Sequence, residues 1–278
     1  MTPINRHFDI DNKNLNSKKS ANMEREFFDT EIGEIAVYQK NKETNKTPII
    51  FLHGVYFDHQ LWDNQINSIF DRPIIALDMP LHGASKNNIK KNWNLDDCAE
   101  MLLEILDRLK IEKVFAIGHS WGSMTILRAA NINPQKFSAL GLCNMPFRES
   151  SKSEKMAIKL QETGLLFKKF YMKQAGYALM AKESRSKNPT LLNHLLLPMN
   201  KLSRNEIKYT NKAVRIDAKN ASELIKKLKV PAYALVGKKD YVGIPPEIET
   251  FVVQGGHVSP IEAPIEVNQM IVKIMAHT

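Results

Sequence analysis

The chain has 278 residues, 43% hydrophobic and 25% charged, enough to bury one large core and to carry a subdomain. Its 39 basic against 30 acidic side chains leave a net charge of +9, but the lysines are scattered, and no zinc finger, RNP-like aromatic pattern or arginine-rich arm accompanies them. Nucleic acid is therefore not an expected partner. No run of about eighteen apolar residues appears, and residues 1–24 read as a polar tail rather than a secretory signal or anchor, so no membrane partner is expected. Two cysteines, Cys98 and Cys143, each flanked by apolar residues, disfavour a disulfide framework or a thiolate zinc site; a cytoplasmic location fits best. In chain order, REFFDTEIGEIAVYQK alternates around Gly33 as an antiparallel hairpin. TPIIFLHG, RPIIALDMP, EKVFAIGHS and FSALGLCN then follow as short continuous apolar runs, the pattern of strands buried on both faces of a parallel sheet. Between them HQLWDNQINSIF, NLDDCAEMLLEILDRLK and WGSMTILRAANI read as helices. Residues 147–215 lose the strand signal and read as a lysine-rich helical lid. Strand signal returns in VPAYALVGKKD and ETFVVQGGH, and IEAPIEVNQMIVKIM closes the chain as a helix. The expected fold is α/β: a mostly parallel twisted sheet with helices on both faces, its core in 25–146 and 216–278, interrupted by the lid.

The stretch GHSWG places Ser120 between Gly118 and Gly122, after a strand and before a helix. A strand that turns abruptly into a helix lifts one side chain above the sheet, provided the neighbours two before and two after are very small, and this is the G-x-S-x-G elbow of a nucleophile. The competing reading is a serine that caps the helix starting at Trp121.

With FLHG followed by Val55, LDMPLHGASK, GHSWG, VGKKD and GGHVSP in this order, the chain resembles the α/β-hydrolase fold superfamily, in particular its serine esterase and lactonase members, from about Phe27 to the C-terminus. The resemblance implies a catalytic triad of Ser120, Asp240 and His257, because a serine hydroxyl needs a base and that base needs a carboxylate to fix its tautomer. Asp240 and His257 each follow a strand, where open α/β sheets build their sites. Glu149 or another acid after GLCNMPF competes with Asp240, although Asn144 occupies that strand end. His53 and His82 are expected to support loops, with His53 also weighed as a substrate contact, and His119 to pack beside the nucleophile. The resemblance further implies an oxyanion hole made by the backbone N–H groups of Val55 and Trp121, with Val55 lining the pocket or filling core.

Only seventeen positions separate Asp240 from His257, and the last strand lies among them. A parallel crossover normally takes about a dozen residues, so a truncated link of a helical turn at Pro245–Pro246 is expected. It would uncover part of the sheet edge, a surface compatible with a homodimer. In the lid, Phe167, Phe170 and Tyr171 are candidates to line an apolar substrate pocket, against the alternative that they merely pack lid on core. No metal-spaced cluster or nucleotide-binding loop is present, and no cofactor or metal is implied. The expected activity is hydrolysis of a small apolar carboxylic ester or lactone through an acyl-enzyme. The alternatives are a proline iminopeptidase-like peptidase, for which the SWGS letters speak and which would need lid acids such as Glu149, Glu154, Glu162 or Glu183, a carbon-carbon bond hydrolase or perhydrolase, and a ligand-binding protein without turnover.

Overall fold

The structure, a computed structural model, describes residues 23–85 and 92–277. The polar tail expected over residues 1–24 falls outside these except for its last two positions, and Glu24 already begins the first strand.

Among the described residues, eight strands form one sheet in the order β1-β2-β4-β3-β5-β6-β7-β8. Strands β1 (Glu24–Thr30) and β2 (Gly33–Lys40) pair antiparallel as the hairpin, and β2 joins β4 antiparallel. The remaining strands, β3 (Ile49–Leu52), β4 (Ile74–Leu77), β5 (Val114–His119), β6 (Phe137–Cys143), β7 (Ala232–Gly237) and β8 (Glu249–Val253), run parallel to one another. Their unbroken apolar runs have a simple cause. Successive residues point to opposite faces, and both faces are covered: Ile50, Leu52, Val114 and Ala116 enter one core cluster, while Ile49, Phe51, Phe115 and Ile117 enter the other.

Helix α1 (Asp63–Ile66) is the first correction to the sequence reading. The helix expected across 59–70 is only a 3₁₀ turn, His59–Trp62, followed by this single α turn. Ser68 ends it by donating both its backbone N–H and its hydroxyl to the Gln65 carbonyl, a local competition typical of such residues. Helix α2 (Leu95–Arg108) starts at a capping box in which the Asn94 side chain accepts from the Asp97 amide and the Asp97 carboxylate accepts from the Asn94 amide. It buries Leu95, Cys98, Ala99, Leu102, Ile105 and Leu106, one stripe at helical spacing. Helix α3 (Trp121–Ile132) leaves the elbow and is buried over nearly its whole length.

The helical lid is inserted between β6 and β7. It comprises α4 (Lys152–Thr163), a 3₁₀ turn at Gly164–Phe167, α5 (Lys168–Leu179), α6 (Lys182–Lys187), α7 (Thr190–Lys201), α8 (Arg204–Thr210) and a π-helical segment Asn211–Ile216 that continues α8; α9 (Ser222–Lys226) follows in the core, with Ile225 in the same cluster as Ile50 and Leu52. After β8 come α10 (Ser259–Glu262) and α11 (Pro264–Met275), which buries Val267, Met270, Ile271 and Ile274 against the second face. Among the described residues no helix joins β7 to β8: residues 238–248 make turns only, so even the short helical turn expected at Pro245–Pro246 is absent.

Candidate active site

The elbow stands on a close fit. Leu52 of the neighbouring strand passes so near that a Cβ on Gly122 would sit 2.2 Å from its carbonyl oxygen, and one on Gly118 would lie 2.4 Å from the Ser123 nitrogen. No larger residue fits either position, and Ser120 between them takes the strained backbone φ 49°, ψ −109°. Its side chain makes no bond to the helix it precedes, so Ser120 is positioned at the N-terminus of α3 without acting as a side-chain cap. The hydroxyl instead faces His257 Nε2 at 3.0 Å.

His257 reaches this point through the short link after β7. Residues beyond β8 cross directly over the end of β7, where a Cβ on Gly237 would meet the Gly256 carbonyl at 2.2 Å. The amides of Lys238 and Lys239 donate to the Val253 and Gly255 carbonyls, and the Asp240 amide turns back onto the Gly237 carbonyl. Asp240 and His257 thus meet without an intervening helix, with His257 Nδ1 2.8 Å from Asp240 Oδ1 and both side chains buried. Burial alone would raise the Asp240 carboxyl, but hydrogen bonds from His257 and Asn144 and the adjacent imidazole outweigh it and hold the group below its ordinary value. Asp240 therefore stays ionised, His257 carries its proton on Nδ1, and Nε2 is left to accept from Ser120.

Three neighbours of this row escape sequence reasoning. Asn144, at the end of β6, donates to Asp240 Oδ2 at 2.7 Å and to the Gly256 carbonyl. Glu262 accepts from the amides of Gly256 and Val258, one on each side of His257, and from Ala181 of the lid. Tyr241 stacks on the His257 ring at 4.7 Å, its hydroxyl 3.4 Å from Nε2. The one signal available was adjacency, since Tyr241 follows Asp240 and Asn144 marks the strand end where an acid was weighed. The competing Glu149 is turned outward to Lys155, 2.7 Å away.

Two loops border Ser120, and histidines lace them together. His53 Nε2 accepts the Met79 amide at 2.8 Å, and His82 Nε2 accepts the Tyr56 amide at 3.0 Å, so each loop's histidine holds the other loop's backbone. Their Nδ1 atoms lie at the Gly54 and Pro80 carbonyls, which fixes the proton there. The substrate contact weighed for His53 is thus corrected: its ring is fully buried with both nitrogens occupied, and burial with the neighbouring His82 pushes its pKa down to about 3. His119 is equally buried, donates to the His257 carbonyl, and is pushed down to about 3 by burial and by His257. Below these loops Asp78 accepts from Tyr38, from Ala84 and from the ring and amide of His59. The His53 carbonyl receives the Gly122 amide, which places Val55 beside the elbow. The Val55 and Trp121 amides have no acceptor among the described residues, and Val55 lines the cavity above Ser120.

That cavity, about 770 Å³, lies between the sheet's C-terminal end and the lid, with Ser120 and His257 in its wall. Phe170 and Tyr171 line it, whereas Phe167 does not: its ring is turned to solvent, 75% exposed. Among the described residues no group of His, Cys, Asp and Glu side chains converges as a metal site.

The family profile described as alpha/beta hydrolase fold matches residues 47–257. A sequence relative, the dihydrolipoyllysine-residue acetyltransferase component of the acetoin cleaving system of Pseudomonas putida, is 36% identical over 97 residues, 34% of this chain but only 26% of the relative. The chain thus matches about a quarter of that relative's length. Among solved structures, a thermophilic esterase from Thermogutta terrifontis superposes with a TM-score of 0.80 at 19% identity, covering 92% of this chain and 100% of the other. The enol-lactonase from Burkholderia xenovorans LB400 gives 0.79 at 16% identity, covering 90% and 100%.

Proposed function

Since the chain belongs to the α/β-hydrolase fold family, we propose that it is a cofactor-independent serine hydrolase of small carboxylic esters or lactones. The observation that carries this reading is the continuous row Ser120 Oγ, His257 Nε2, His257 Nδ1, Asp240 Oδ1, with spacings of 3.0 and 2.8 Å, at a cavity large enough for a small ester.

In this mechanism His257 takes the Ser120 proton as Oγ attacks the ester carbonyl, and the tetrahedral oxyanion is received by the Val55 and Trp121 amides. The N-terminus of α3 adds its dipole at the same place. Collapse expels the alcohol, which takes its proton from His257, and leaves an acyl group on Ser120. Water, deprotonated by His257, then attacks that acyl group, and the acid leaves as Ser120 recovers its proton. Asp240 stabilises the imidazolium that forms in both halves and keeps Nε2 directed at the serine.

A peptidase that grips a substrate amine would need free lid carboxylates at the cavity. Glu149 pairs with Lys155, Glu162 accepts from Asn211, and Glu154 is engaged with the Ser151 amide in a helix cap. Steady-state hydrolysis of p-nitrophenyl acetate and of proline β-naphthylamide separates the two chemistries. The expected result is turnover of the acetate alone, lost in Ser120→Ala. Turnover of the naphthylamide alone, or acetate turnover that survives Ser120→Ala, would contradict the reading.

A further inference from the structure

The charged side chains of the cavity wall include two arginines, Arg148 and Arg215. Arg215 lies on the π-helical segment that continues α8, an irregularity often found at functional sites. Half-buried, it has no carboxylate within ion-pair distance among the described residues; its guanidinium finds only neutral partners, a 3.3 Å hydrogen bond to Asn211 Oδ1 and an interaction with the Tyr56 hydroxyl. Its other neighbours are the phenols of Tyr56, Tyr241 and Tyr171, which burial and mutual contact keep protonated in the case of Tyr56.

Among the described residues, three acids of the lid and cavity wall have partners of their own. Asp217, two residues on, pairs with Lys212 at 2.6 Å. Glu162 accepts from the far end of the Asn211 amide, so a neutral group separates it from Arg215. Glu154 also lines the cavity, but its carboxylate accepts the Ser151 amide at the start of α4. Tyr241 both neighbours Arg215 and stacks on His257, so one ring spans from the guanidinium to the catalytic base. Arg148, exposed and without an ion pair among the described residues, stands in the same wall.

A guanidinium withdrawn from water and left without a counter-anion is costly unless an arriving group supplies one, and its planar fork suits a carboxylate held through two hydrogen bonds. We infer that Arg215, with Arg148 elsewhere in the same cavity wall, is a carboxylate-binding subsite, and that the preferred substrate is an ester or lactone carrying a free carboxylate at the end remote from the scissile carbonyl. This rests on the ester-hydrolase reading for its chemistry, while the anion site itself stands on the cavity's charges.

The test compares the monoethyl ester of adipic acid with its carboxamide analogue, which has the same shape and no charge, in the wild type, Arg215→Gln, Arg215→Lys and Ser120→Ala. Expected is a kcat/KM ratio favouring the half-ester by about tenfold or more, cut roughly tenfold in Arg215→Gln and partly kept in Arg215→Lys. Equal kcat/KM values for the two esters in the wild type, or a proportional loss on both in the Arg215 variants, would overturn the subsite while leaving hydrolysis by Ser120 standing. If Arg215→Gln does not fold, the ratio in Arg215→Lys decides. If the wild type turns over neither ester, calorimetric titration of adipate into the Ser120→Ala protein still decides the subsite. Binding that Arg215→Lys weakens supports it, and no detectable binding refutes it.

Discussion

Asn144 ends β6 in the left-handed region, φ 50°, and uses both halves of its amide, donating to Asp240 and accepting from the amide and hydroxyl of Ser259. A hydrogen bond to a charged group is worth about 1.5–3 kcal/mol. Asn144→Ala should therefore lower kcat about tenfold or more with little change in KM, as steady-state kinetics would read; an unchanged kcat would show that Asp240 is held by other means. The identity of the strand-end residue was legible, but its work was not, because Asp240 reaches it only through the fold. His53 teaches the same lesson. FLHG made it a loop residue, while its role as an acceptor for Met79 depends on a loop that sequence spacing does not align. The depressed pKa values of His53 and His119, each about 3, have a definite sign. Keeping these rings neutral costs nothing above the ordinary value near 6.5, and the stability tied to them is lost as pH falls from there toward 3. Asp78, held down to about 2 against burial by its bonds to His59, adds a further loss below about pH 4. His59, raised by Asp78 despite burial, contributes with the opposite sign, its share being lost as pH rises above 6.5. The melting temperature should fall between pH 6.5 and 4, with a shallower slope in His53→Asn; a flat profile in the wild type would contradict the assignment.

At the scale of elements, the strands were legible because a sheet covered on both faces writes itself as unbroken apolar runs, and α2 because its stripe and cap are local. The segment 59–70 misled for a physical reason: its apolar spacing is helical, but Asn67 and Ser68 divert the backbone after one turn. The link from β7 to β8 was legible as short, yet its solution was not. Glycines let the chain cross over the end of β7, and Glu262 clasps the amides on both sides of His257. Glu262→Ala leaves those buried donors unpaired, at about 1–3 kcal/mol each. It should lower both the melting temperature and kcat; if thermal unfolding and steady-state turnover are both unchanged, the clasp is dispensable. The lid contrasts with the core. Helix α4 buries only Ile158 and exposes Met156 and Leu160, whereas α2 buries a full stripe. Amide hydrogens of α4 should exchange much faster than those of α2 by mass spectrometry, and equal protection would contradict a loosely held lid.

Over the whole molecule, the net charge of +9 and the arginines in the cavity wall act in one direction on an anionic substrate. If the carboxylate subsite holds, kcat/KM for a half-ester should fall with rising salt more steeply than for its uncharged amide, because screening weakens attraction of the charged form only. The family and the row Ser120, Asp240, His257 could be read from motifs in order, since a strained elbow and strand-end positions demand particular residues. The cavity's selectivity could not: Arg215 lies on a lid segment far along the chain from Ser120, and nothing in its local spacing marks it as facing the same space. The central claim is that Ser120 carries the acyl group during turnover. Rapid acid quench during hydrolysis of a p-nitrophenyl ester, followed by peptide mass spectrometry, tests it most directly. The account predicts an acyl mass increment on the peptide containing Ser120, absent in Ser120→Ala; turnover that persists in Ser120→Ala, or an increment mapped to another residue, would contradict it.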